Sequence, residues 1–181
     1  MRAAIEEFAA RGFHRTSVED IVRRARTSRT AFYTFFDNRE DAMYGAMQAS
    51  LRGVLDHVRE ALFAANRGDD FLATAIRAYI EYLAKDDAAA RIMLIEGRGV
   101  SPEVNALRTR TRRDLADLIR DMWAELDRDA AESKYAQAIA MGVLGIITES
   151  MVHLAETNRL AEAPDHIPAV VDAVQRVLSP R

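Results

Sequence analysis

Apolar residues recur at intervals of three and four along most of the chain, and no segment shows the sustained alternation typical of a half-buried strand. Alanine is abundant, and only 8 Gly and 4 Pro interrupt 181 residues, so the sequence predicts an all-α fold. The absence of Cys excludes a disulfide framework, a thiolate metal site and a Cys nucleophile. The pattern is clearest in the last apolar stripe, which consists of Ile167, Val170, Val171, Val174, Val177 and Leu178.

Three short helices are predicted within residues 1–36, the second and third separated by a turn of about three residues, as in a helix-turn-helix. Ser17 and Asp20 have capping-box spacing at the start of the second helix, and Thr27-Ser28 is expected to cap the third. The apolar side of the third helix is predicted to consist of Phe32, Phe35 and Phe36.

Longer helices are predicted in the rest of the chain, and with the three short ones they bring the predicted total to about nine. The fourth begins after a cap at Asp37-Asn38 and is predicted to run to about Ala65, where Asn66-Arg67-Gly68 ends it. Because no linker is visible, this helix is expected to join residues 1–45 rigidly to residues 46–181. Further helices are predicted near residues 70–85, 88–96, 102–128, 132–158 and 165–178.

Charge is distributed unevenly in a chain whose formal net charge is −3. Residues 21–39 contain five Arg and one Asp, which forms a basic patch suited to a small nucleic-acid footprint. An ordinary solvated helix face fits the charge pattern equally well. The longest apolar run, residues 138–147, is too short to span a bilayer, and no signal peptide is visible, so a soluble cytoplasmic protein without a membrane partner is expected.

The outward side of the third helix carries side chains suited to DNA, since an α-helix fits the major groove. Arg29 would fork onto guanine O6 and N7, and Thr30 and Thr34 would contact a thymine methyl or a base edge. Other members of the set are suited to phosphate oxygens, which fix register but do not read sequence. The predicted DNA-contact residues are Thr16, Ser17, Arg26, Thr27, Ser28, Arg29, Thr30, Tyr33, Thr34 and Arg39.

Two segments within about 45 residues carry a family resemblance. Residues 12–21, GFHRTSVEDI, and residues 28–40, SRTAFYTFFDNRE, resemble the N-terminal domain of TetR-family transcriptional regulators. The chain departs from the family pattern at Arg26, where Gly is usual, and at Phe35, where His or another polar residue is usual. If Arg26 has a positive φ, it costs about 1–2 kcal/mol.

The resemblance implies an all-helical homodimer that binds a palindromic operator and holds an inducer in its C-terminal domain. Residues 1–45 would then be the helix-turn-helix DNA-binding domain, and residues 46–181 the ligand-binding and dimerisation domain. The long fourth helix would connect them, and a ligand that moves this helix would change the distance between the two recognition helices.

A ligand cavity needs an apolar lining with a few polar groups. Arg108 and Arg112 lie one helical turn apart and would anchor an acidic head group, such as a carboxylate or a coenzyme A phosphate; a solvated helix face is the alternative. Most of the apolar candidates also fit a plain protein core. The predicted ligand-binding residues are Tyr79, Tyr82, Met93, Glu96, Arg108, Arg112, Met122, Trp123, Ile139 and Glu149.

The last two helices are predicted to pair with their two-fold mates. Gly142 and Gly145 lie three residues apart inside a helix, where each Gly costs about 1 kcal/mol, so a close approach by another helix is the expected reason. The alternative is that these helices merely close the domain core. The predicted interface residues are Met141, Gly142, Gly145, Thr148, Val170, Val174 and Val177.

These observations together predict a ligand-responsive transcriptional regulator, a repressor that binds its operator as a homodimer and is released by a small, largely apolar inducer. A helical protein–protein adaptor without DNA binding is the alternative. No enzyme, metal site or cofactor is expected, because the four His are scattered and no nucleophile, phosphate-loop or dinucleotide motif is present.

Overall fold

The computed structural model describes residues 1–65, 70–124 and 128–178, which form ten α-helices and contain no β-strand. The all-α prediction is therefore confirmed. Two short 3₁₀ turns, Phe13–Arg15 and Leu160–Glu162, and one π-helical segment, Ile92–Glu96, connect some of the helices. The helices are α1 (Arg2–Arg11), α2 (Val18–Ala25), α3 (Arg29–Phe35), α4 (Arg39–Ala64), α5 (Phe71–Lys85), α6 (Asp87–Arg91), α7 (Pro102–Ala124), α8 (Arg128–Ala131), α9 (Ala136–Glu156) and α10 (Ala163–Leu178).

Side-chain caps start α2, α3 and α4 at the predicted positions. The Ser17 hydroxyl accepts a hydrogen bond from the Asp20 N–H at 3.2 Å, and the Asp20 carboxylate accepts one from the Ser17 N–H at 2.9 Å. Ser28 caps α3, and Asn38 caps α4, each by accepting a backbone N–H three residues further on. Because these caps act within four residues, they position the turn between α2 and α3 without help from the rest of the chain.

Arg26 closes α2 in the left-handed conformation, with φ 52° and ψ 46°. Its N–H donates to the carbonyl of Arg23, as the residue after a helix C-terminus commonly does. A residue with a Cβ costs about 1–2 kcal/mol in this conformation compared with Gly. The departure from the family pattern is thus a real local strain.

Phe35 is a correction to the predicted apolar side of α3. Phe32 is buried and Phe36 is half-buried, but the Phe35 side chain is 77% exposed. Phe35 is the last residue of α3, and the chain becomes extended at Phe36, so Phe36 takes the place beside Phe32, with the two ring centroids 5.2 Å apart.

Helices α4, α5, α7, α9 and α10 pack around one apolar core, with α4 against α5, α7 against α9, and α10 against α5 and α9. Helix α1 packs on α4 and α6, and these contacts attach the N-terminal unit, which consists of α1, α2 and α3, to the bundle. Among the described residues, α9 is the one helix long and apolar enough to cross a membrane, with a mean hydropathy of 1.6. Its contacts with α7 and α10 make it a core helix of the bundle.

Several helix boundaries differ from the predicted ones. The segment predicted as one helix near 88–96 consists of α6 followed by the π-helical turn, and α9 begins at Ala136 instead of 132. The helix predicted for 102–128 ends at Ala124, and residues 125–127 lie outside the described residues, as does the predicted stop Asn66-Arg67-Gly68. Pro164 and Pro168 both lie in α10, which begins before the predicted residue 165.

Candidate DNA interface and ligand cavity

Helix α3 presents its polar side to solvent. Arg29, Thr30, Tyr33 and Thr34 are all exposed, with the side chain of Arg29 61% exposed, whereas Phe32 anchors the opposite side in the core. The guanidinium of Arg29 lies 5.9 Å from the centroid of the Tyr33 ring and pairs with the Glu19 carboxylate of α2. The arrangement is a short rod with a donor-rich outer side.

The remaining residues of the predicted DNA-contact set divide into exposed and internal ones. Arg26, Thr27 and Ser28 are exposed in the turn, and Ser17 is half-buried as a helix cap. The structure departs from the prediction at Thr16, which is buried.

The Thr16 hydroxyl donates to the carbonyl of Gly12 at 2.8 Å, so it is used inside the protein. The guanidinium of Arg39 donates to the Thr16 carbonyl at 3.0 Å and lies 4.3 Å from the Phe13 ring centroid. In this conformation, Arg39 braces the start of α4 against the 3₁₀ turn that precedes α2.

Carboxylates neutralise most of the N-terminal arginines. Asp20 receives hydrogen bonds from Arg11 at 2.7 Å and from Arg23, and the buried Glu7 receives one from Arg24. The Ser17 hydroxyl, which donates to Asp20, holds the pKa of that carboxyl well below its usual range, with further contributions from the Ser17 N–H and Arg23. The Arg11–Asp20 and Arg24–Glu7 pairs join α1 to α2.

A cavity of about 330 Å³ lies between α4, α5, the π-helical segment, α7 and α9. Its volume is at the lower end of the range found for small-molecule sites. The polar side chains of its lining are Tyr79, Arg98, Arg108, Thr111, Arg112, Thr148 and Glu149. The remaining lining consists of Met47, Leu51, Met93, Leu94, Leu115, Leu144, Gly145 and Val152.

A second, smaller cavity of about 50 Å³ adjoins the first, and the two share Tyr79, Leu115 and Leu144 as common walls. Apart from the hydroxyl of Tyr79, every lining side chain of the second cavity is apolar. The residues found only in this cavity are Val58, Leu72, Ala75, Ile76, Leu118, Ile119, Met122 and Ile147.

Three arginines converge on the first cavity without a carboxylate partner. Arg98, Arg108 and Arg112 make no ion pair with any described residue, although Glu149 lines the same cavity. The Nη1 atom of Arg108 is buried and makes no hydrogen bond within the described residues. Burial lowers the pKa of Arg108, and the positive charges of Arg98 and Arg112 lower it further. Such a site is electrostatically complementary to an anion.

The structure brings six of the ten predicted ligand residues to the cavities. Tyr79, Met93, Arg108, Arg112 and Glu149 line the first cavity, and Met122 lines the second.

Four predicted ligand residues lie elsewhere. Trp123 is buried and its indole N–H donates to the carbonyl of Leu178 at 3.1 Å, so it closes the core. Tyr82 is half-buried with its ring centroid 5.8 Å from that of His57, and the Glu96 carboxylate lies beside Gly12. Ile139 is half-buried on α9 and lines neither cavity.

Sequence reasoning missed Arg98, which lies in the loop between the π-helical segment and α7. The available signal was its position between Gly97 and Gly99, just before the Arg-rich start of α7. Gly97 packs closely on Met47, another residue of the cavity lining, because a Cβ there would lie 2.0 Å from the Met47 Cε, which would have to shift.

The π-helical segment connects the cavity to the N-terminal unit. Met93 and Leu94 line the cavity, while Arg91, just before the segment, donates to the Ala9 carbonyl of α1 at 3.3 Å. Arg91 also donates to the carbonyl of Ala155 at 2.9 Å, near the end of α9. An additional ion pair between Arg2 and Asp86, at 2.6 Å, joins the start of α1 to the junction of α5 and α6.

The predicted interface residues also divide into two groups. Val170 and Val174 are buried within the protomer, where α10 packs on α5 and α9, and Val177 is 48% exposed. Gly142 is exposed, and a Cβ placed at Gly142 or Gly145 would meet no atom within 4 Å. Met141, Gly145 and Thr148 are half-buried, and the last two also line the first cavity.

Comparison with known proteins accounts for this arrangement. Residues 1–42 match the family model described as bacterial regulatory proteins, tetR family. The match falls on the helix-turn-helix segment and confirms the predicted resemblance to TetR-family transcriptional regulators. A relative, the HTH-type transcriptional activator FasR of Mycolicibacterium smegmatis, is 24% identical over 158 residues, which cover 87% of this chain and 71% of FasR.

Solved structures of TetR-family and related regulators share the fold over nearly the whole chain. The fatty acid degradation regulator FadR from Bacillus halodurans has a TM-score of 0.83 at 18% identity, covering 98% of this chain and 92% of that one. FadR from Bacillus subtilis, in complex with stearoyl-CoA, has a TM-score of 0.82 at 17% identity, covering 96% and 94%. These similarities confirm the predicted fold, in which an N-terminal helix-turn-helix segment is joined to a helical C-terminal domain.

Proposed function

We propose that the protein is a homodimeric repressor that binds a palindromic operator and releases it when an amphipathic anion occupies the cavity. The observation that carries this proposal is the convergence of Arg98, Arg108 and Arg112, which pair with no carboxylate among the described residues, on a cavity with partly apolar walls. Residues 1–45 are the proposed DNA-binding domain and residues 46–181 the ligand-binding and dimerisation domain of a cytoplasmic protein.

A fatty acid or a fatty acyl-coenzyme A has the required chemistry. Its carboxylate or phosphates would satisfy the buried Nη1 of Arg108, and its hydrocarbon chain would lie against the apolar walls. The stearoyl-CoA bound by FadR of Bacillus subtilis supports this class, since the two chains share a fold. The inducer would then be largely apolar, as the sequence predicts, with an anionic head group.

The exposed side of α3 is proposed to read the operator. Arg29 would contact guanine, and Thr30 and Thr34 would contact base edges or thymine methyl groups. Phosphate contacts from the turn and from Tyr33 would fix the register. The surface residues proposed for these contacts are Ser17, Arg26, Thr27, Ser28 and Tyr33.

A second copy of the chain is proposed to cover the outer side of α9. This side carries the exposed Gly142, which faces open space in the protomer and would admit another helix at close range. Gly145 also has open space beside it, but it lines the first cavity as well. Val177 offers an exposed apolar side chain on α10. Two-fold symmetry would place the two α3 helices about 34–36 Å apart, or one turn of DNA.

Ligand binding would reach the DNA-binding domain by two routes. Met47 of α4 and Met93 of the π-helical segment both line the cavity, and both elements contact α1. A ligand that displaces these elements tilts α1 and changes the separation of the two α3 helices. Typical coupling free energies of about 1–3 kcal/mol would lower operator affinity about 5–150-fold.

The test is a gel shift with the protein's own promoter region, with salt and palmitoyl-CoA as variables. We expect a complex that weakens steeply with rising salt and dissociates on adding palmitoyl-CoA. The Arg108→Ala variant should still bind DNA but lose the response to palmitoyl-CoA. Arg110→Ala is the matched control, because Arg110 is exposed on the same helix and does not line the cavity.

Three results would contradict the proposal. A helical adaptor would give no salt-dependent shift, and an unchanged response in Arg108→Ala would exclude the anion site. Light scattering that shows a monomer of about 20 kDa, the mass of one chain, would exclude the dimer. Because the relative FasR is an activator, run-off transcription with and without palmitoyl-CoA determines the sign of regulation.

A further inference from the structure

We infer that Tyr79 sets the length of the hydrocarbon chain that the cavity accepts. This inference rests on the proposed function, because it concerns the ligand of the same cavity. Tyr79, Leu115 and Leu144 are the residues shared by the two cavities, so they form the wall between them. A chain that ends in the first cavity stops at this wall, and a longer chain must pass it.

The polarity of the two cavities gives the ligand one orientation. Arg98, Arg108 and Arg112 lie only in the lining of the first cavity, whereas residues such as Leu118 and Met122 lie only in that of the second. A charged head group is excluded from the second cavity by the cost of burying a charge among apolar side chains. The hydrocarbon end therefore points toward Tyr79 and beyond it.

Tyr79 has the size and position of a barrier. Its ring is buried on α5, and its hydroxyl makes no hydrogen bond within the described residues. Burial raises the pKa of the Tyr79 hydroxyl. Since the second cavity measures only about 50 Å³, removing the Tyr79 ring would enlarge the apolar compartment substantially.

The experiment measures dissociation constants for a series of saturated fatty acids with 8 to 18 carbons and for their coenzyme A thioesters. The two series share an anionic head group and a chain, and comparison between them identifies the head group that the arginines prefer. The quantity that tests Tyr79 is the ratio of the dissociation constants for long and short chains within one series. This ratio reports chain length and does not depend on overall affinity.

Tyr79→Ala should shift the ratio toward long chains by about tenfold, because even one or two more buried methylenes are worth this much. Tyr79→Phe is the matched control, since it keeps the ring and removes only the hydroxyl, and its profile should equal that of the wild type. Leu118→Phe fills the second cavity from its far side and should shift the ratio in the opposite direction. Retained DNA binding shows that each variant is folded.

The outcomes separate the two proposals. If the wild type binds these ligands and the ratio is unchanged in both Tyr79→Ala and Leu118→Phe, the inference about Tyr79 is wrong while the proposed function stands. If Tyr79→Phe shifts the ratio as much as Tyr79→Ala, the hydroxyl and not the ring is responsible, and the inference is again wrong. If the wild type binds no member of either series, both proposals fail.

Discussion

The N-terminal unit and the C-terminal bundle differ in whether their arginines form ion pairs with carboxylates. In the N-terminal unit, Arg11, Arg23, Arg24 and Arg29 each pair with a carboxylate. The pairs of Arg11, Arg24 and Arg29 join neighbouring helices, and that of Arg23 lies within α2. In the C-terminal bundle, three arginines line a cavity and make no ion pair with any described residue, and the buried Nη1 of Arg108 makes no hydrogen bond within that same part of the chain.

The difference separates the arginines that stabilise the fold from those that we propose bind an anionic ligand. A paired arginine next to a buried carboxylate contributes to stability, because its removal leaves the carboxylate without a counter-charge. An arginine that is half-buried among other arginines reduces stability until an anion arrives. The same side chain should therefore give opposite effects on stability in the two regions when it is replaced by an apolar residue of similar length.

The largest effect is expected in the N-terminal unit. Arg24→Met should lower the free energy of unfolding by about 1–3 kcal/mol, because the buried carboxylate of Glu7 would keep only its longer contact with Arg11 at 3.3 Å. Denaturant unfolding followed by circular dichroism measures the change. Arg23→Met is the matched control: Arg23 is 67% exposed, and its partner Asp20 keeps Arg11, so a change below about 0.5 kcal/mol is expected. Equal midpoints for Arg24→Met and wild type would show that the pair is only a surface contact.

The opposite sign is expected at the cavity. Arg108→Met should raise the free energy of unfolding of the ligand-free protein by about 1 kcal/mol, because it removes a charge and a nitrogen without a hydrogen bond from a half-buried position. The same variant should lose the thermal stabilisation that palmitoyl-CoA gives the wild type. Differential scanning fluorimetry with and without this ligand measures both effects. A ligand-free Arg108→Met protein less stable than the wild type would mean that Arg108 has a structural role.

The two regions also differ in how much of them the sequence predicts. Ser17, Ser28 and Asn38 cap their helices within four residues, so the helices of the N-terminal unit could be predicted from short segments. The cavity is assembled from five elements and a loop, and the position of Arg98 between two Gly just before the Arg-rich α7 was the one local sign that it lies near Arg108.

Side-chain type alone was a poor guide where the environment depends on distant packing. Trp123 looks like a ligand contact by its size and its polar N–H, but that N–H is taken by the carbonyl of Leu178, 55 residues away. Val170 and Val174 follow a helical stripe that fits an interface or a core equally well, and α5 makes it part of the core. Phe35 is exposed at the end of α3, because the extended Phe36 takes the apolar position beside Phe32.

The last prediction concerns how the stability contributed by Asp20 changes in acid. The pKa of Asp20 in the folded protein lies below its ordinary value near 3.9, because Ser17 and Arg23 donate hydrogen bonds to the charged form. The stabilisation from Asp20 is therefore complete above about pH 4 and is lost as the pH falls below that value toward the depressed pKa.

Melting temperatures of the wild type and Asp20→Asn, measured from pH 3 to pH 7 at constant ionic strength, test this loss of stabilisation. The gap between the two proteins should be constant above about pH 5 and should narrow below pH 4, because only the wild type has a carboxylate to protonate at this position. A gap that stays constant down to pH 3 would show that the Asp20 charge does not hold α1 and α2 together. The hydrogen-bonding shape of the side chain, which Asn retains in part, would then account for the cap.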